Sequence, residues 1–171
     1  MNIKLFALVS VGGLLIASVA GAQLMRRNYD EPKHTVVVDE GSLQIRNYET
    51  RIVAETRVSS ADWTSGVSEG FSRLASFIFG KNQDTSGQSA KIAMTTPVEA
   101  MPADEGHIVT FTMPPNYTVE NLPLPSDARV KVRVVPPTTV ATIKFSGVAR
   151  SKALASLEEE LKSFVSSQGY R

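Results

Sequence analysis

A strand, strand, helix order occurs twice in this chain at a constant offset of 87 residues: Arg46 falls on Arg133, Val53 on Val140, Ala54 on Ala141, Ser59 on Ser146 and Phe77 on Phe164. Four identities across two hairpins would be thin evidence by themselves. They come with matching apolar alternation and with matching helices, and no gap is needed to superpose them, which points to an internal duplication whose halves pack about a pseudo-two-fold axis. A chance likeness of two hairpins is the competing account. With 171 residues there is room for one domain of this kind but not for two full-sized cores.

The local patterns support the order. Leu43-Gln44-Ile45-Arg46-Asn47-Tyr48 alternates apolar and polar, as a strand with one face on a core does, and 52–58 is a second extended run, so a hairpin turning at Glu49-Thr50 is expected. Val36 to Val38 reads as an initial extended piece. Asp62 can cap a helix whose apolar stripe is Trp63, Val67, Phe71, Leu74 and Ile78, with Gly80 and Asn82 at its stop. A loop over 81–89 leads to strands expected at 90–96, resuming across 97–101, and at 108–113. Leu122-Pro123-Leu124-Pro125 crosses to a strand at 130–134, Pro136-Pro137 turns the chain, and 140–145 returns before a last helix over 151–167. That helix carries Leu154, Leu157, Leu161, Phe164 and Val165 along one side, with Glu158 and Lys162 spaced for an ion pair. The second copy stops before any counterpart of the strands near 90–96 and 108–113, so either the second half lacks two strands or the chain is incomplete; missing strands would leave a sheet edge to be covered, for example by another subunit.

The N-terminus reads as an export signal. Lys4 supplies a positive start, Leu5 to Val19 is apolar or small apart from Ser10 and Ser18, and Ala20-Gly21-Ala22 provides small residues for cleavage. The expected organisation is a secretory signal peptide over 1–22, a polar tether over 23–34 and one domain over 35–171. An exported protein follows, with the periplasm as its compartment. An uncleaved inner-membrane anchor is the alternative, because the apolar run nearly spans a thin bilayer and Arg26-Arg27 follow it.

Composition excludes several chemistries. Lysine and arginine number 18 against 17 acidic residues, so no field draws the chain to nucleic acid. The absence of cysteine removes disulfides, thiolate metal sites, iron–sulfur clusters and a cysteine nucleophile. No serine stands in a G-x-S-x-G setting, the carboxylates are scattered, and no glycine fingerprint for a dinucleotide or phosphate occurs. His34, in the tether, and His107, in a turn, read as surface residues, although either could serve as an axial ligand to a heme iron, which needs only one imidazole. What stands out is the crowding of Phe71, Phe77, Ile78 and Phe79 at the end of the first helix. Their all-round spread requires some rings to face a cleft, a partner or water. Met94, Met101 and Met113 can furnish adaptable packing nearby, and Arg73 can pair with a ligand carboxylate. The plainer account makes the rings core and the arginine solvated.

These pieces, taken in order, resemble the SOUL or heme-binding protein family. The resemblance is carried by Ile45-Arg46-Asn47-Tyr48, by Gly70-Phe71-Ser72-Arg73-Leu74 with Phe77 and Gly80-Lys81-Asn82, and by Ile92-Ala93-Met94-Thr95-Thr96-Pro97-Val98. It continues through Phe111-Thr112-Met113-Pro114, Leu122-Pro123-Leu124-Pro125 with Asp127, and Phe145-Ser146-Gly147. It implies an α+β fold in which duplicated β-β-α-β-β units form a distorted antiparallel β-barrel flanked by two helices. It also implies non-covalent, reversible binding of heme or another porphyrin in a shallow hydrophobic cleft beside the first helix. Phe71, Leu74 and Phe77 would form the wall, Met94 would join the cofactor-binding set, and Arg73 would partner a propionate; the family shares no universal iron ligand, so the metal ligand stays unassigned. Family members usually continue with an aromatic, proline-containing segment and an Arg-Asn-Glu strand that are absent here. The implied role is a non-catalytic carrier, scavenger or buffer of a tetrapyrrole. The alternative is an envelope binding or structural module for another hydrophobic ligand or a protein partner.

Overall fold

The computed structural model describes residues 4–5, 30–144 and 151–170. The rest of the expected signal segment, the tether before Asp30, and Phe145-Ser146-Gly147 lie outside the described residues.

Among the described residues, ten strands and two helices follow in the order β1 (Lys4–Leu5), β2 (His34–Glu40), β3 (Leu43–Tyr48), β4 (Arg51–Val58), α1 (Trp63–Ile78), β5 (Asn82–Gln83), β6 (Val98–Pro102), β7 (His107–Thr112), β8 (Leu124–Pro125), β9 (Val130–Val135), β10 (Thr138–Ile143) and α2 (Ser151–Ser167). Two four-stranded sheets, in the orders β1-β10-β3-β2 and β6-β7-β4-β9, and a small β5-β8 ladder make up the barrel-like body. All pairings between these strands are antiparallel except that of β1 with β10.

The expected hairpins do not form. β3 and β4 belong to different sheets, as do β9 and β10: β3 pairs with β10, and β4 with β9. A two-residue hairpin loop needs positive φ at one or both central positions, which suits glycine or asparagine. Glu49-Thr50 and Pro136-Pro137 cannot supply it, and among the described residues positive φ occurs only at glycine. The chain therefore turns a corner into the other sheet, and each half pairs with the other half.

That exchange makes the duplication visible. Ile45 opposes Ala141, and their counterparts 87 residues along, Val132 and Ala54, oppose each other; Arg46 opposite Val140 likewise repeats as Arg133 opposite Val53. Phe77 and Phe164 occupy equivalent buried positions on α1 and α2, as do Leu74 and Leu161. α1 presses on β4, β7 and β9, and α2 on β10. Each helix has its own core. Leu74, Phe77 and Ile78 pack with Ala54, Val109 and Phe111, and Leu161, Phe164 and Val165 with Ile45, Ala141 and Ile143.

Three further expectations change. Residues 90–96 are not a strand: the chain there is irregular apart from a bridge from Thr95 to Asp30, and the strand begins at Val98. The expected 81–89 loop contains β5, which pairs with the proline-marked crossing at β8. On α1 the fully buried stripe is Gly66, Gly70, Leu74, Phe77 and Ile78, while Trp63, Val67 and Phe71 are half-buried. Glycine decides that rotation. A Cβ on Gly70 would stand 2.5 Å from Val109 Cγ2, and one on Gly66 would stand 2.6 Å from His107 Nδ1, so the helix lies closest to β7 along its glycines.

The outer edge of β10, where β4 carries β7, is met at Val140 and Ala141 by β1, in parallel. The residues expected to begin the signal segment thus cover part of the edge that the duplication leaves open. No helix among the described residues is long and apolar enough to cross a membrane.

Candidate functional site

α1 is fixed at both ends. Asp62 accepts a hydrogen bond from the Ser65 amide at 2.8 Å, and bonds from the first turn hold its carboxyl below the ordinary aspartate value. At the other end Gly80 takes φ +121° after the Phe79 cap. Buried Asn82 closes the turn: its amide donates to the Phe77 carbonyl at 2.6 Å and to the Ala90 carbonyl at 2.8 Å, and its oxygen accepts from the Ala90 amide at 2.9 Å. The Lys81 carbonyl accepts from the Ser126 amide at 3.1 Å, which brings the 126–129 turn beside the helix end.

The outcome is a hollow of about 270 Å³ beside the C-terminal half of α1. Glu69, Ser72, Arg73, Ser76 and Phe77 line it from the helix, and Lys81, Asp127 and Arg129 from the following segments. Three cations and two carboxylates share it. Arg73 is mostly buried rather than freely solvated: Nη1 donates to Thr56 Oγ1 at 2.6 Å and to the Arg57 carbonyl at 2.9 Å, and Nη2 pairs with Glu69 one turn back. Arg129 clasps Asp127 through Nε (2.9 Å) and Nη2 (2.7 Å). Hydrogen bonds from Arg129, side chain first and then backbone, hold the Asp127 carboxyl far below its usual range, and the same pairing raises the Arg129 guanidinium.

Exposed apolar bulk stands close in sequence to the lining of this charged hollow. Phe79 is 62 % exposed, two residues from both Phe77 and Lys81, and Leu124 is 70 % exposed, three residues before Asp127. No large apolar side chain among the described residues is more exposed than these two.

The five residues expected to bind a cofactor divide between two places. Arg73 and Phe77 line the hollow, Phe77 as a buried floor. Phe71, Leu74 and Met94 join the core cluster under α1: Leu74 is sealed, Met94 is half-buried, and half-buried Phe71 meets Phe111 edge-on at 5.3 Å. Glu69, Ser72, Ser76, Lys81, Asp127 and Arg129 also line the hollow, without having been expected as binding residues. The signal for the last two was Asp127-Ala128-Arg129 itself, where the Asp127 side chain accepts from the Arg129 amide at 2.9 Å to form an Asx turn.

Neither histidine reaches the hollow. His34 Nδ1 lies 2.9 Å from the Pro32 carbonyl, with its ring tilted over Tyr48. His107 is not at the surface as expected. Only 7 % exposed, it opens β7 directly after the Gly106 turn and is packed beside Gly66, with its ring edge-on to Trp63 at 5.1 Å. No cluster of three or more His, Cys, Asp or Glu that could hold a metal ion occurs among the described residues.

The model of the family described as SOUL heme-binding protein matches residues 29–170. The chain belongs to the SOUL family. Among curated proteins, this SOUL chain is similar to Heme-binding protein 2 of Homo sapiens, 30 % identical over 118 residues, which are 66 % of this chain and 56 % of that protein. Heme-binding protein 2 of Mus musculus is 31 % identical over 113 residues, 63 % of this chain and 53 % of its own length. The SOUL chain thus matches about half the length of these curated relatives.

Proposed function

We propose that this SOUL domain binds heme or a related porphyrin, non-covalently and reversibly, over the hollow beside α1, as a carrier, scavenger or buffer without catalysis. Family membership supports the ligand class, and one observation carries the site: Arg73, Lys81 and Arg129 gather around a hollow floored by Phe77, with exposed Phe79 and Leu124 two and three residues along the chain from its lining. A bound porphyrin supplies a large planar apolar surface and two carboxylates. The residues at the hollow meet both needs, because apolar side chains gain by removal from water and guanidinium and ammonium groups by pairing with carboxylates.

The hollow is below the usual ~300 Å³ minimum for a small-molecule pocket, so a macrocycle lies across it instead of entering it. Arg73, engaged with Thr56, Arg57 and Glu69, is a fixed positive wall. Lys81 and Arg129 are exposed and can turn to a propionate, and Asp127, held ionised by Arg129, competes with the incoming carboxylate. That competition favours release as well as binding. The lining includes no histidine, so the protein grips the porphyrin edge and face rather than its metal.

Titration of the chain with hemin and with metal-free protoporphyrin tests this reading. Both should saturate at one site per chain, with affinities within about tenfold of each other. The double variant Lys81→Gln/Arg129→Gln should weaken both, by roughly 5- to 30-fold for two partly screened charge pairs. Unsaturable adsorption, or binding indifferent to the double variant, would remove the site from the hollow.

Export to the periplasm is part of the same proposal, supported by Lys4, the apolar run to Val19 and Ala20-Gly21-Ala22. Cleavage after Ala22 would take β1 with it and free the outer edge of β10 at Val140 and Ala141 for another strand, including one from a second subunit. Retention of the segment would leave a membrane anchor.

A further inference from the structure

The larger cavity described, a groove of about 420 Å³, shares no lining residue with the hollow, and α1 contributes none to it. Three segments wall it, and backbone hydrogen bonds pin each of them. The Asp30 carbonyl accepts from the Thr96 amide at 3.0 Å, and the Lys33 carbonyl from the Glu49 amide at 3.1 Å, which ties the approach to β2 to the corner between β3 and β4. The Met113 amide donates to the Ile52 carbonyl at 2.8 Å, and the chain beyond it turns through bonds from Tyr117 to Pro114 at 3.1 Å and from Leu122 to Thr118 at 3.0 Å. Walls held in this way form the groove before any ligand arrives, and its volume falls in the usual range for a small-molecule site.

The groove is apolar within and acidic around. Ile52, Met113 and Tyr117 belong to or pack against the core under α1, and Val119 and Val134, which also line the groove, are 53 % and 48 % exposed. Their removal from water would be favourable. Each of the three segments adds one exposed carboxylate, Glu31, Glu49 and Glu120, against exposed Lys33. Arg51 lines the groove too, but its side chain is only 8 % exposed and its charge is met by Glu99. The carboxylates are not closed off by cations of the protein. Glu31 meets Arg46 at 4.0 Å, outside hydrogen-bond reach, and neither Glu49 nor Glu120 enters an ion pair among the described residues. Hydrogen bonds from the Thr118 side chain, and then from its own amide, hold the Glu120 carboxyl below the ordinary glutamate value, so it is ionised at neutral pH.

We propose that this groove is a second ligand site and takes a small amphipathic cation, an alkylammonium whose tail lies on the apolar wall and whose head stands among Glu31, Glu49 and Glu120. The two cavities then select opposite head groups. Three cations and two carboxylates line the hollow, whereas three exposed carboxylates and one exposed lysine line the groove. A carboxylate or phosphate head would meet like charge there. A bare metal ion is a poor occupant, because no group of three or more His, Cys, Asp or Glu among the described residues could hold one. Carboxylates spread over three segments suit a charge that sits between them without being coordinated, and the apolar wall requires that the charge carry a tail.

The test titrates butylamine, hexylamine, octylamine and octanoate into the ¹⁵N-labelled full chain by NMR. The amines should shift the Met113 and Thr118 amide signals saturably at one site, and octanoate should not. Each methylene added from butylamine to octylamine should tighten binding roughly two- to fourfold, fourfold being the gain for a fully buried methylene. Glu49→Gln/Glu120→Gln should weaken octylamine roughly 2- to 30-fold, the range for two exposed charge pairs. Salt at about 1 M should weaken octylamine on the unsubstituted chain in the same direction. The double variant should leave Tm and hemin affinity unchanged, since both positions are exposed and neither lines the hollow. Octanoate bound as tightly as octylamine, no saturable shift with any amine, or an affinity indifferent to tail length or to the double variant would each overturn the proposal. Displacement of octylamine by hemin would overturn it as well, because the two cavities would then be one site.

Discussion

The two halves of this molecule share a scaffold and differ in what they present to solvent. Leu74 and Phe77 of α1 and their counterparts Leu161 and Phe164 of α2 are buried in the same way. Outside that stripe the halves diverge: Ser72, Arg73 and Lys81 correspond to Glu159, Glu160 and Gln168. The equivalent surface of α2 is acidic, with Lys162 reaching Glu158 at 3.1 Å and Glu159 at 2.9 Å. A duplicated fold can hold its core fixed while one copy's outer face is turned to carboxylate recognition and the other's is not. The helices also sit differently on their sheets. Gly66 and Gly70 let α1 approach β7, whereas α2 has Ala153 and Leu157 at the matching positions, and half-buried Leu157 packs on its own core.

The shared part of this comparison is tested most severely by Phe77→Ala and Phe164→Ala. Each should cost about 3–5 kcal/mol, since removing a buried ring loses its transfer free energy and leaves a cavity. If the halves are energetically equivalent, denaturant unfolding should place the two variants within about 1 kcal/mol of each other, inside the usual scatter for one chemistry at two sites. A Phe164 variant as stable as wild type would show that the second core adds nothing and that the pseudo-symmetry is one of shape only.

The differing part is tested by giving α1 the residue of α2. Gly70→Leu would force a side chain where even a Cβ meets Val109 Cγ2 at 2.5 Å, so α1 must lift from β7. Overpacking of this kind costs about 1–3 kcal/mol. The hemin affinity of this variant separates packing from recognition. Because Arg73 is held against Thr56 and Arg57 of β4, lifting the helix should weaken hemin as well as lower the denaturation midpoint. Unaltered hemin binding in a destabilised protein would detach the hollow from the α1–β7 contact.

Much of the fold was legible because it rests on local signals. Asp62, Gly80 and Asn82 mark the limits of α1, and the alternation from Leu43 to Tyr48 and from Val130 to Val134 marks two strands at the repeat offset. Pairing was less legible. Two strands joined by two residues suggest a hairpin, and only the demand for positive φ, unmet by Glu49-Thr50 and Pro136-Pro137, argues for a corner. The site divided in the same way. Arg73 and Phe77 were found from one helix, whereas Lys81 and Arg129 reach the hollow because the small ladder of Asn82–Gln83 with Leu124–Pro125 folds one distant segment onto another. Phe71 and Leu74 belonged to the same apolar stripe as the ligand wall, and periodicity cannot tell a core face from a cleft wall when both are apolar. His107 was misread because its turn signal, Asp104-Glu105-Gly106, describes the residues before it and not the strand it opens.

The smallest expected effect concerns how α1 begins. The Asp62 carboxyl is held below its ordinary value by hydrogen bonds from Ser65 and the first turn. A carboxyl whose folded value is depressed contributes stability that is complete above its unfolded value, near 3.8, and is lost as pH falls through the lower folded value. Asparagine caps a helix about as well as aspartate but does not titrate. Asp62→Asn should therefore leave Tm at pH 7 nearly unchanged and make the fall in Tm below pH 4 shallower than in wild type. At the matching position of the second half the sequence has Ala149, which does not titrate, so the comparison of the halves turns on Asp62. If Asp62→Asn leaves the acid limb as steep as before, that sensitivity comes from other depressed carboxyls. Asp127 at the hollow is then the first to replace, and the difference between the halves would lie in the binding face instead of the helix cap.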